Sequence, residues 1–357
     1  MNLRLARLRG VMAAEGLDSL LITQPENRRY LSGFTGSAGV LLISQERAFL
    51  ATDFRYYEQV KMQAPSFELV EVSDSPQAVL APLIKELKLV RLGFESHVVT
   101  VDLYESWRAA FQGVEWIATK GLVERLRQVK DADELAAIER AVRIADETMA
   151  HIMEWLRPGV TEVQVAWEVE VYMRTHSAER QSFSVIVASG PNSAMPHAVA
   201  SERAILPGDP VTIDLGAVYQ GYCSDLTRSF CVGQPDNTYQ GVWDLVLKAQ
   251  VAAEEAIKPG MPGADVDSVA RDIIYAGGYE GKFGHGLGHG VGLAIHEDPR
   301  ASQTYKEALE QGVVITVEPG VYLPGWGGVR IEDMAVLTDG GCRVLTQCPK
   351  VPFIEAR

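Results

Sequence analysis

Four carboxylates stand in short apolar segments that would otherwise form the core of a sheet. Asp214 and Asp225 lie on either side of a short turn, and Glu318 and Glu332 repeat the arrangement around a second turn. Acidic residues are poor strand formers, and like charges on neighbouring strands are destabilising. Any one of these residues alone would be interpreted as an exposed strand residue. A divalent cation between them would offset the cost of all four, so the pattern predicts a metal site.

Histidines add possible nitrogen ligands. The chain has seven histidines, and His285, His289 and His296 all lie in one glycine-rich segment, GHGLGHGVGLAIHE. Glycines allow the backbone to approach a ligand closely. The segment is not followed by the Lys-Ser/Thr pair of a phosphate-binding loop, so we predict that it belongs to the metal site.

One histidine and four carboxylates favour hard divalent ions over a cysteine-rich structural zinc site. We expect Mn²⁺, with Co²⁺, Zn²⁺ or Fe²⁺ as alternatives. Carboxylates that bridge two ions would hold them ~3.5–4 Å apart, with a shared hydroxide as the nucleophile. Because the chain also lacks the GxSxG motif of serine hydrolases, metal-assisted hydrolysis is the predicted reaction class.

Composition limits the remaining classes of protein. The chain has 357 residues, of which 47% are hydrophobic and 22% charged, and this is typical of a globular protein with two domains. A net charge of −14 argues against nucleic acid or an anionic membrane as a partner. No CxxC pair occurs, no segment resembles a signal peptide, and no apolar run approaches the ~18 residues of a membrane span. We therefore expect reduced cysteines and a cytoplasmic protein.

The first third of the chain alternates helix and strand patterns. Residues 3–16 predict an amphipathic helix. Five apolar runs predict strands: Ser19–Ile22, Val40–Ile43, Ala48–Ala51, Phe67–Val72 and Leu89–Phe94. We predict a small N-terminal α/β domain over residues 1–128 and a second domain over 129–357. The second domain would begin with a long helix after Lys130, capped by Asp131 or Asp133 and ended by Pro158-Gly159.

An internal repeat organises the second domain. LRPGV at 156–160 returns as IKPGM at 257–261. Each copy follows a long helix pattern and precedes another, at 163–175 and 265–276. Pro-Gly is also a common helix stop, but the matching context favours a duplicated α/β half.

A hairpin is predicted in each half. The first joins Asp209–Leu215 to Cys223–Cys231, and the second joins Val313–Glu318 to Val329–Val336. Counting along the first hairpin places Asp214 and Asp225 near one another across the two strands.

Three segments, taken with this repeat, resemble the pita-bread metallopeptidases. They are VTIDLGAVYQGYCSDLTRSF, GHGLGHGVGLAIHE and VITVEPGVYLPGWGGVRIEDM. The resemblance covers residues 130–350 and is to aminopeptidase P and prolidase, and more distantly to methionine aminopeptidase. NRRYLSGFTGSAG and TDFRYYEQ resemble the N-terminal domain of the proline-specific branch. The resemblance as a whole implies an α/β (α+β) fold, with a small N-terminal α/β domain before a duplicated pita-bread catalytic domain. It also implies a homodimer.

The resemblance also implies a role for each candidate metal ligand. Asp214 is similar to a terminal ligand of one metal, while Asp225 and Glu332 match the two bridging carboxylates. His289 and Glu318 match the remaining ligands of the second metal. Glu318 would in addition take the proton of the bridging water.

Other residues match positions that act on the substrate. His197 is similar to a histidine that donates a hydrogen bond or shuttles a proton near the leaving proline nitrogen. His296 would steady the scissile carbonyl or the tetrahedral intermediate. His285 matches a supporting histidine, and Arg330 matches a basic residue beside the bridging Glu332.

The activity implied is hydrolysis of the bond between an N-terminal residue and a following proline, with proline-containing peptides as substrates. The N-terminal segments favour an Xaa-Pro aminopeptidase, and an Xaa-Pro dipeptidase is the alternative. Arg28, Arg29 or Arg55 could bind the terminal carboxylate of a dipeptide, or could be solvated surface charges. Metal-free creatinase-like chemistry and a metal-free binding module are further alternatives, which the complete ligand set disfavours.

Overall fold

The computed structural model describes residues 2–356, which form two compact units, one that ends at Arg127 and one that begins at Gln128. We refer to them as unit 1 and unit 2. The domain boundary after residue 128 stays a prediction. Within residues 2–356 we find no helix long and apolar enough to cross a lipid bilayer.

Unit 1 is a mixed sheet flanked by helices. Its strands are β1 (Ser19–Ile22), β2 (Val40–Ser44), β3 (Ala48–Asp53), β4 (Glu68–Val72), β5 (Arg91–Glu95) and β6 (Glu115–Thr119). Its helices are α1 (Leu3–Ala14), α2 (Pro25–Ser32), α3 (Tyr57–Gln63), α4 (Pro76–Glu86), α5 (Val101–Ala110) and α6 (Leu122–Gln128). The strands lie in the order β4-β3-β2-β1-β5-β6, and β2 is antiparallel to both of its neighbours. Apolar side chains of the sheet, such as Leu42 and Leu92, share one core with Ile84 and Trp107 from the helices.

Unit 2 contains two similar halves. The first half has α7 (Ala132–Trp155), α8 (Glu162–Thr175), β7 (Arg180–Gln181), β8 (Ile186–Ser189), β9 (Pro210–Leu215), β10 (Ala217–Tyr219), β11 (Tyr222–Cys223) and β12 (Leu226–Val232). The second half has α9 (Asn237–Ala256), α10 (Gly263–Ala276), β13 (Gly288–Gly290), β14 (Glu297–Ala301), β15 (Val314–Val317), β16 (Gly320–Leu323), β17 (Gly327–Arg330), β18 (Asp333–Thr338) and β19 (Gly341–Val344). The C-terminal strand β20 (Phe353–Ile354) returns to pair with β12 of the first half. The long helix α7 has Asp131 as its N-cap, and the Asp131 side chain forms a capping box with Glu134.

The two Pro-Gly turns have the same hydrogen bonds. Gly159 and Gly260 adopt φ values of 91° and 86°, in the left-handed region that favours glycine. Gly159 donates from its backbone N–H to the carbonyl of Ile205, and Gly260 donates to Leu309, both at 2.8 Å. The backbone N–H of each acceptor residue in turn donates, at 2.9 Å, to the carbonyl oxygen of the residue that follows the glycine. This shared geometry, together with the matched helix pairs, confirms the predicted duplicated fold.

Each half also has its own hydrophobic core, in which a helix pair covers a sheet. In the first half, Met149 and Val165 of the helices meet Ile213 of β9. In the second half, Ala270 of α10 meets Ile315 of β15. The metal-binding candidates lie on the strands that these two cores support.

Both predicted hairpins exist, but each is interrupted near its middle. In the first, β9 pairs with β12, whereas the tip strands β10 and β11 pair in a different sheet with β7. Gly216 lies at the break, where a Cβ would stand only 2.0 Å from the carbonyl oxygen of Ser224. Asp214 pairs in register with Thr227, so Asp214 and Asp225 are diagonal neighbours and not directly opposite. In the second hairpin, β15 pairs with β18 while β16 and β17 form a separate tip.

Candidate metal centre

All four carboxylates lie at or beside these breaks. Asp214 is the penultimate residue of β9, and Asp225 immediately precedes β12. Glu318 immediately follows β15, and Glu332 immediately precedes β18. They face one cavity of about 610 Å³ in unit 2. Every site residue predicted from the sequence lines this cavity: His197, Asp214, Asp225, His285, His289, His296, Glu318, Arg330 and Glu332.

The tightest group in the cavity is Asp225, His289 and Glu332. Their ligand atoms all lie within 4.8 Å of one another, and all three side chains are buried. His289 Nε2 is 3.5 Å from Oδ2 of Asp225 and 3.3 Å from Oε1 of Glu318, so Glu318 borders the same group. Asp214 lines the same cavity but lies outside the group of three.

His289 is oriented as a metal ligand would be. Its Nδ1 lies 3.1 Å from the carbonyl oxygen of Gly290, and a carbonyl can only accept a hydrogen bond. Nδ1 therefore carries the proton, and Nε2 presents a lone pair toward Asp225 and Glu318. Burial, followed by the neighbouring His296, lowers the pKa of His289 to about 3, which keeps the ring neutral. A lone pair facing two carboxylates calls for a cation between them.

The raised pKa values of the carboxyl groups in the cluster point to the same conclusion. Burial is the largest cause that raises the pKa of Asp225, and the charges of Glu332 and Asp214 raise it further. Burial also raises the pKa of Glu332, with Glu318 as the next cause, and raises the pKa of Glu318 to about 7. These carboxyl groups can all be ionised at neutral pH only if positive charge is bound among them.

Two carboxylates each keep one oxygen without a protein partner. Oδ2 of Asp214 accepts from Nη2 of Arg330 at 2.6 Å, and Oε2 of Glu332 accepts from Oγ1 of Thr227 at 2.6 Å. Among residues 2–356, the other oxygens, Oδ1 of Asp214 and Oε1 of Glu332, are buried with no hydrogen-bond partner. Buried polar atoms are rarely left without a partner, so both oxygens fit the role of ligands to a divalent cation.

The comparisons with known proteins agree with this geometry. Residues 136–339 match metallopeptidase family M24, and residues 4–129 match the creatinase/prolidase N-terminal domain. The chain belongs to metallopeptidase family M24. Membership of this family implies divalent metal ions as cofactors, and the cavity contains the residues that could hold them.

Relatives within the M24 family span almost the whole chain. The structure of an Xaa-Pro dipeptidase from Bacillus anthracis is 44% identical, covers 98% of this chain and 99% of its own, and superimposes with a TM-score of 0.96. An X-Pro aminopeptidase from Thermotoga maritima MSB8 is 39% identical, covers 95% and 98%, and has a TM-score of 0.89. An Xaa-Pro dipeptidase from Pyrococcus furiosus is 38% identical over 97% of this chain and 98% of that protein. The chain is therefore a metallopeptidase similar in fold and length to proline-specific enzymes.

A hydrogen-bonded chain that the sequence analysis missed connects Arg330 to His285. Arg330 Nη1 donates to the hydroxyl oxygen of Tyr322 at 2.9 Å, and that hydroxyl lies 3.0 Å from Nε2 of His285. Nδ1 of His285 lies 2.8 Å from the carbonyl oxygen of Gly286, so it carries the proton and Nε2 accepts from Tyr322. Burial, followed by the charge of Arg330, lowers the pKa of His285 to about 4. Arg330 and Tyr322 thus hold a neutral His285 in one orientation.

Helix α10 holds the backbone of the histidine segment. Arg271 forms a bidentate pair with Asp267, at 2.6 and 2.9 Å, and donates to the carbonyl oxygens of Phe283 and His285 at 2.7 and 2.8 Å. Asp267 also accepts from the N–H of Leu287 at 3.0 Å. The only sequence signal for this device is the i,i+4 spacing of Asp267 and Arg271 on a helix. It fixes the path of the chain from which His285 and His289 project.

His296 and His197 line the same cavity. The His296 ring centroid lies 4.4 Å from that of His289, and burial lowers the pKa of His296. His197 is exposed and follows the short 3-10 helix Gly190–Ala194. Both rings line the cavity beside the carboxylates.

Proposed function

We propose that this chain is an Xaa-Pro peptidase that hydrolyses the bond before proline, and that dipeptides are its preferred substrates. Two divalent cations, for which Mn²⁺ is expected, would be held by Asp214, Asp225, His289, Glu318 and Glu332. The observation that carries the proposal is the buried group of Asp225, His289 and Glu332, together with Oδ1 of Asp214 and Oε1 of Glu332, which have no hydrogen-bond partner among the described residues. Full-length relatives named Xaa-Pro dipeptidase support the substrate class.

The cofactor and the chain have separate tasks in this reaction. Bound divalent cations would supply Lewis acidity at the scissile carbonyl and lower the pKa of a water molecule enough to make it a nucleophile near neutral pH. Glu318 would accept the proton of the attacking water and return it to the leaving nitrogen of proline. Thr316 donates to Oε1 of Glu318 at 3.2 Å, which restrains the carboxylate for this transfer.

The two cavity histidines would act on the peptide itself. A neutral His296 has one N–H, which would donate to the carbonyl oxygen as negative charge develops on it. His197, on an exposed loop at the cavity wall, would donate to the peptide near the leaving proline nitrogen.

The cavity wall supports a preference for proline. Phe183, Ile186 and Val199 supply apolar surface, which suits a pyrrolidine ring. Proline has no backbone N–H, so the cavity wall needs no hydrogen-bond acceptor at this position. A residue with an N–H at this position would leave that donor unpaired on an apolar wall, which lowers turnover.

Arg300 favours a dipeptide over a longer substrate. It lines the cavity, its side chain is 43% exposed, and its Nε is 3.9 Å from Oδ1 of Asp298. This loose contact leaves its guanidinium available to a carboxylate that immediately follows proline. By contrast, Arg330 is fully engaged with Asp214 and Tyr322.

Two of the arginines considered from the sequence, Arg28 and Arg55, are engaged elsewhere. Arg28 is buried, and it donates to the carbonyl oxygens of Gly39 and Gly36 at 2.8 and 2.7 Å. Its role is to hold a loop of unit 1, so the interpretation of Arg28 as a surface charge is wrong. Arg55 is exposed and pairs with Asp53 at 2.7 Å. Neither Arg28 nor Arg55 therefore supports a site for the terminal carboxylate of a dipeptide. Arg300 is the reason to prefer the dipeptidase over the aminopeptidase that the N-terminal segments predict.

Cleavage of defined peptides tests the proposal. Purified protein loaded with Mn²⁺ is assayed on Ala-Pro, Ala-Pro-Ala and Ala-Ala, and kcat/KM is compared. We expect Ala-Pro to be the best substrate. A clear preference for Ala-Pro-Ala would establish the aminopeptidase instead, and failure to cleave either proline peptide would overturn the Xaa-Pro assignment.

We also propose a homodimer in the cytoplasm. The homodimer is supported by the resemblance to the pita-bread metallopeptidases. The small number of cysteines, four in 357 residues with no CxxC pair, supports a reducing compartment. Sedimentation of the purified protein tests the oligomeric state, and fractionation of cells tests the compartment.

A further inference from the structure

A buried carboxylate closes the loop that carries His197. Glu162, at the first turn of α8, is 0% exposed. Its Oε1 accepts from the N–H and the hydroxyl of Ser189, both at 2.7 Å. Its Oε2 accepts from the N–H and the hydroxyl of Ser201 at 3.0 and 2.6 Å. Residues 189 and 201 are the two ends of the loop, so one carboxylate ties both ends together.

The remaining bonds of Glu162 come from inside the loop. Nδ2 of Asn192 donates to both carboxylate oxygens at 3.1 Å. The guanidinium of Arg203 donates to the Ser189 hydroxyl at 2.6 Å and pairs with Asp209 at 2.6 Å, so it is linked to Glu162 through Ser189. The charge of Glu162 is therefore stabilised by hydrogen bonds from the loop, and such charge-assisted bonds are stronger than bonds between neutral groups.

The far side of the loop is bonded to strand β17, which ends in Arg330. The N–H of Gly328 donates to the hydroxyl of Ser193 at 2.9 Å, and Nη1 of Arg330 lies 3.3 Å from the carbonyl oxygen of Pro196. A Cβ at Gly328 would stand 2.3 Å from the carbonyl oxygen of Ser193, so strand β17 and the loop are in close contact. His197 directly follows Pro196. The loop is thus held at its ends by Glu162 and near its tip by the strand that ends in Arg330.

We propose that Glu162 is a positioning residue for His197. It touches neither substrate nor metal, and it sets the place of the His197 ring by fixing both ends of the loop. Asp267 has the corresponding task in the second half, where it holds the segment that carries His285 and His289. The kinetic part of this inference rests on the proposed peptidase function, whereas the part that concerns the loop does not.

The test compares Glu162→Gln with Glu168→Gln on the same helix. The glutamine keeps the shape of Glu162, but its NH₂ group faces donors that need an acceptor. Among the contacts described, the Glu168 carboxylate bonds to the His151 ring at 2.7 Å. Glu168 therefore serves as the matched control. We expect Glu162→Gln to lower kcat for Ala-Pro by on the order of 10–100-fold with metal content unchanged, because misplacement of a catalytic group has effects of this size.

A double-mutant cycle separates positioning from general damage. In a His197→Ala background, Glu162→Gln should cause little further loss, because the residue through which it acts is already gone. Equal losses in both backgrounds, or a loss of metal from Glu162→Gln alone, would overturn the proposal. If Glu162→Gln does not fold, Ser201→Ala carries the same cycle, since it removes one donor and leaves the carboxylate in place.

Hydrogen–deuterium exchange provides a readout that does not depend on activity. Amides of residues 190–200 should exchange faster in Glu162→Gln than in the wild type, and Glu168→Gln should leave them unchanged. Unchanged exchange in Glu162→Gln would overturn the inference even if activity falls. Should the wild type fail to cleave Xaa-Pro peptides, the proposed function fails while the exchange result still decides whether Glu162 holds the loop.

Discussion

Arg330 donates from Nη2 to Oδ2 of Asp214 across 2.6 Å, and Oδ1 of the same carboxylate is buried with no hydrogen-bond partner among residues 2–356. The arginine therefore fixes the plane of the carboxylate while it leaves one oxygen for a cation. Thr227 does the same for Glu332, since its hydroxyl occupies one oxygen at 2.6 Å. Protein groups thus orient both carboxylates by one oxygen each, which is the arrangement expected of residues that hold metal ligands in place.

The first prediction concerns the shared carboxylates. We expect Asp225→Asn or Glu332→Gln to abolish hydrolysis of Ala-Pro and to reduce the metal bound per chain. A carboxylate that contacts two ions weakens both sites when it loses its charge. Elemental analysis of the purified variants, measured beside turnover, checks this. The exposed Glu310→Gln is the control, and full activity in either test variant would remove that residue from the ligand set.

The second prediction divides the histidines. His289→Ala should lose metal, because its Nε2 faces Asp225 and Glu318. His197→Ala and His296→Ala should keep metal near the normal level and lower kcat by roughly 10²–10³-fold, since they would act on the peptide. Metal content and kcat are measured on the same preparations. His176→Ala, on the exposed end of α8, should change neither quantity, and an equal loss of metal in all three test variants would contradict this division.

The third prediction is that the metal-free protein loses stability as the pH rises. Glu318 has its ordinary pKa of 4.5 when unfolded, and burial raises its pKa to about 7 in the fold. Between these values the unfolded chain binds fewer protons than the folded one, so the free energy of unfolding falls with increasing pH. For Glu318 alone the loss is ~3 kcal/mol at most. Urea denaturation of metal-free protein at pH 5, 6 and 8 measures it.

Two further experiments test whether this pH dependence comes from the carboxylate cluster. Addition of Mn²⁺ at pH 8 should recover the stability, because bound cations replace the protons. Glu318→Gln should flatten the dependence between pH 4.5 and 7, since it removes a group that titrates there. A metal-free protein that is equally stable at pH 5 and pH 8 would show that the fold does not raise the pKa of Glu318.

The fourth prediction concerns Arg300. If its guanidinium binds the carboxylate of a dipeptide, Arg300→Ala should raise KM for Ala-Pro by on the order of 10–100-fold, which is the size of a lost charge-assisted pair. Ala-Pro-amide, which lacks the carboxylate, should be almost insensitive to the same change. Steady-state kinetics on both substrates decide this. Arg343→Ala, at an arginine whose side chain is 51% exposed, is the control, and equal effects on the two substrates would exclude the carboxylate contact.

The acidic residues of the candidate site could be predicted from the sequence because they are charged residues within apolar strand patterns. Glu318 and Glu332 interrupt apolar strand patterns, and a buried charge needs a partner. Helix ends were predictable for a similar reason, since Asp131 and the two Pro-Gly turns are local signals that need no knowledge of the fold. All nine residues assigned to the site line one cavity, although their individual roles stay predictions.

The interruption of the hairpins could not be predicted in the same way. Hairpin counting assumes one continuous ladder, and it gives no sign that the chain leaves one sheet at Gly216 and enters another. Glu162 was missed because its partners, Ser189 and Ser201, lie far from it in sequence. From sequence alone it is an ordinary acidic residue in the first turn of a helix. Tyr322 was missed for the same reason, since its contact with His285 depends on tertiary structure.

The duplication has a consequence for how the site assembles. One half contains the candidate ligands Asp214 and Asp225, and the other contains His289, Glu318 and Glu332, so neither half contains all five candidates. A single copy of the repeated unit would need to find a second copy before it could enclose a metal pair. Covalent fusion replaces that bimolecular encounter with an effective local concentration that dilution does not change. Metal affinity should therefore be independent of protein concentration, whatever the oligomeric state of the whole enzyme.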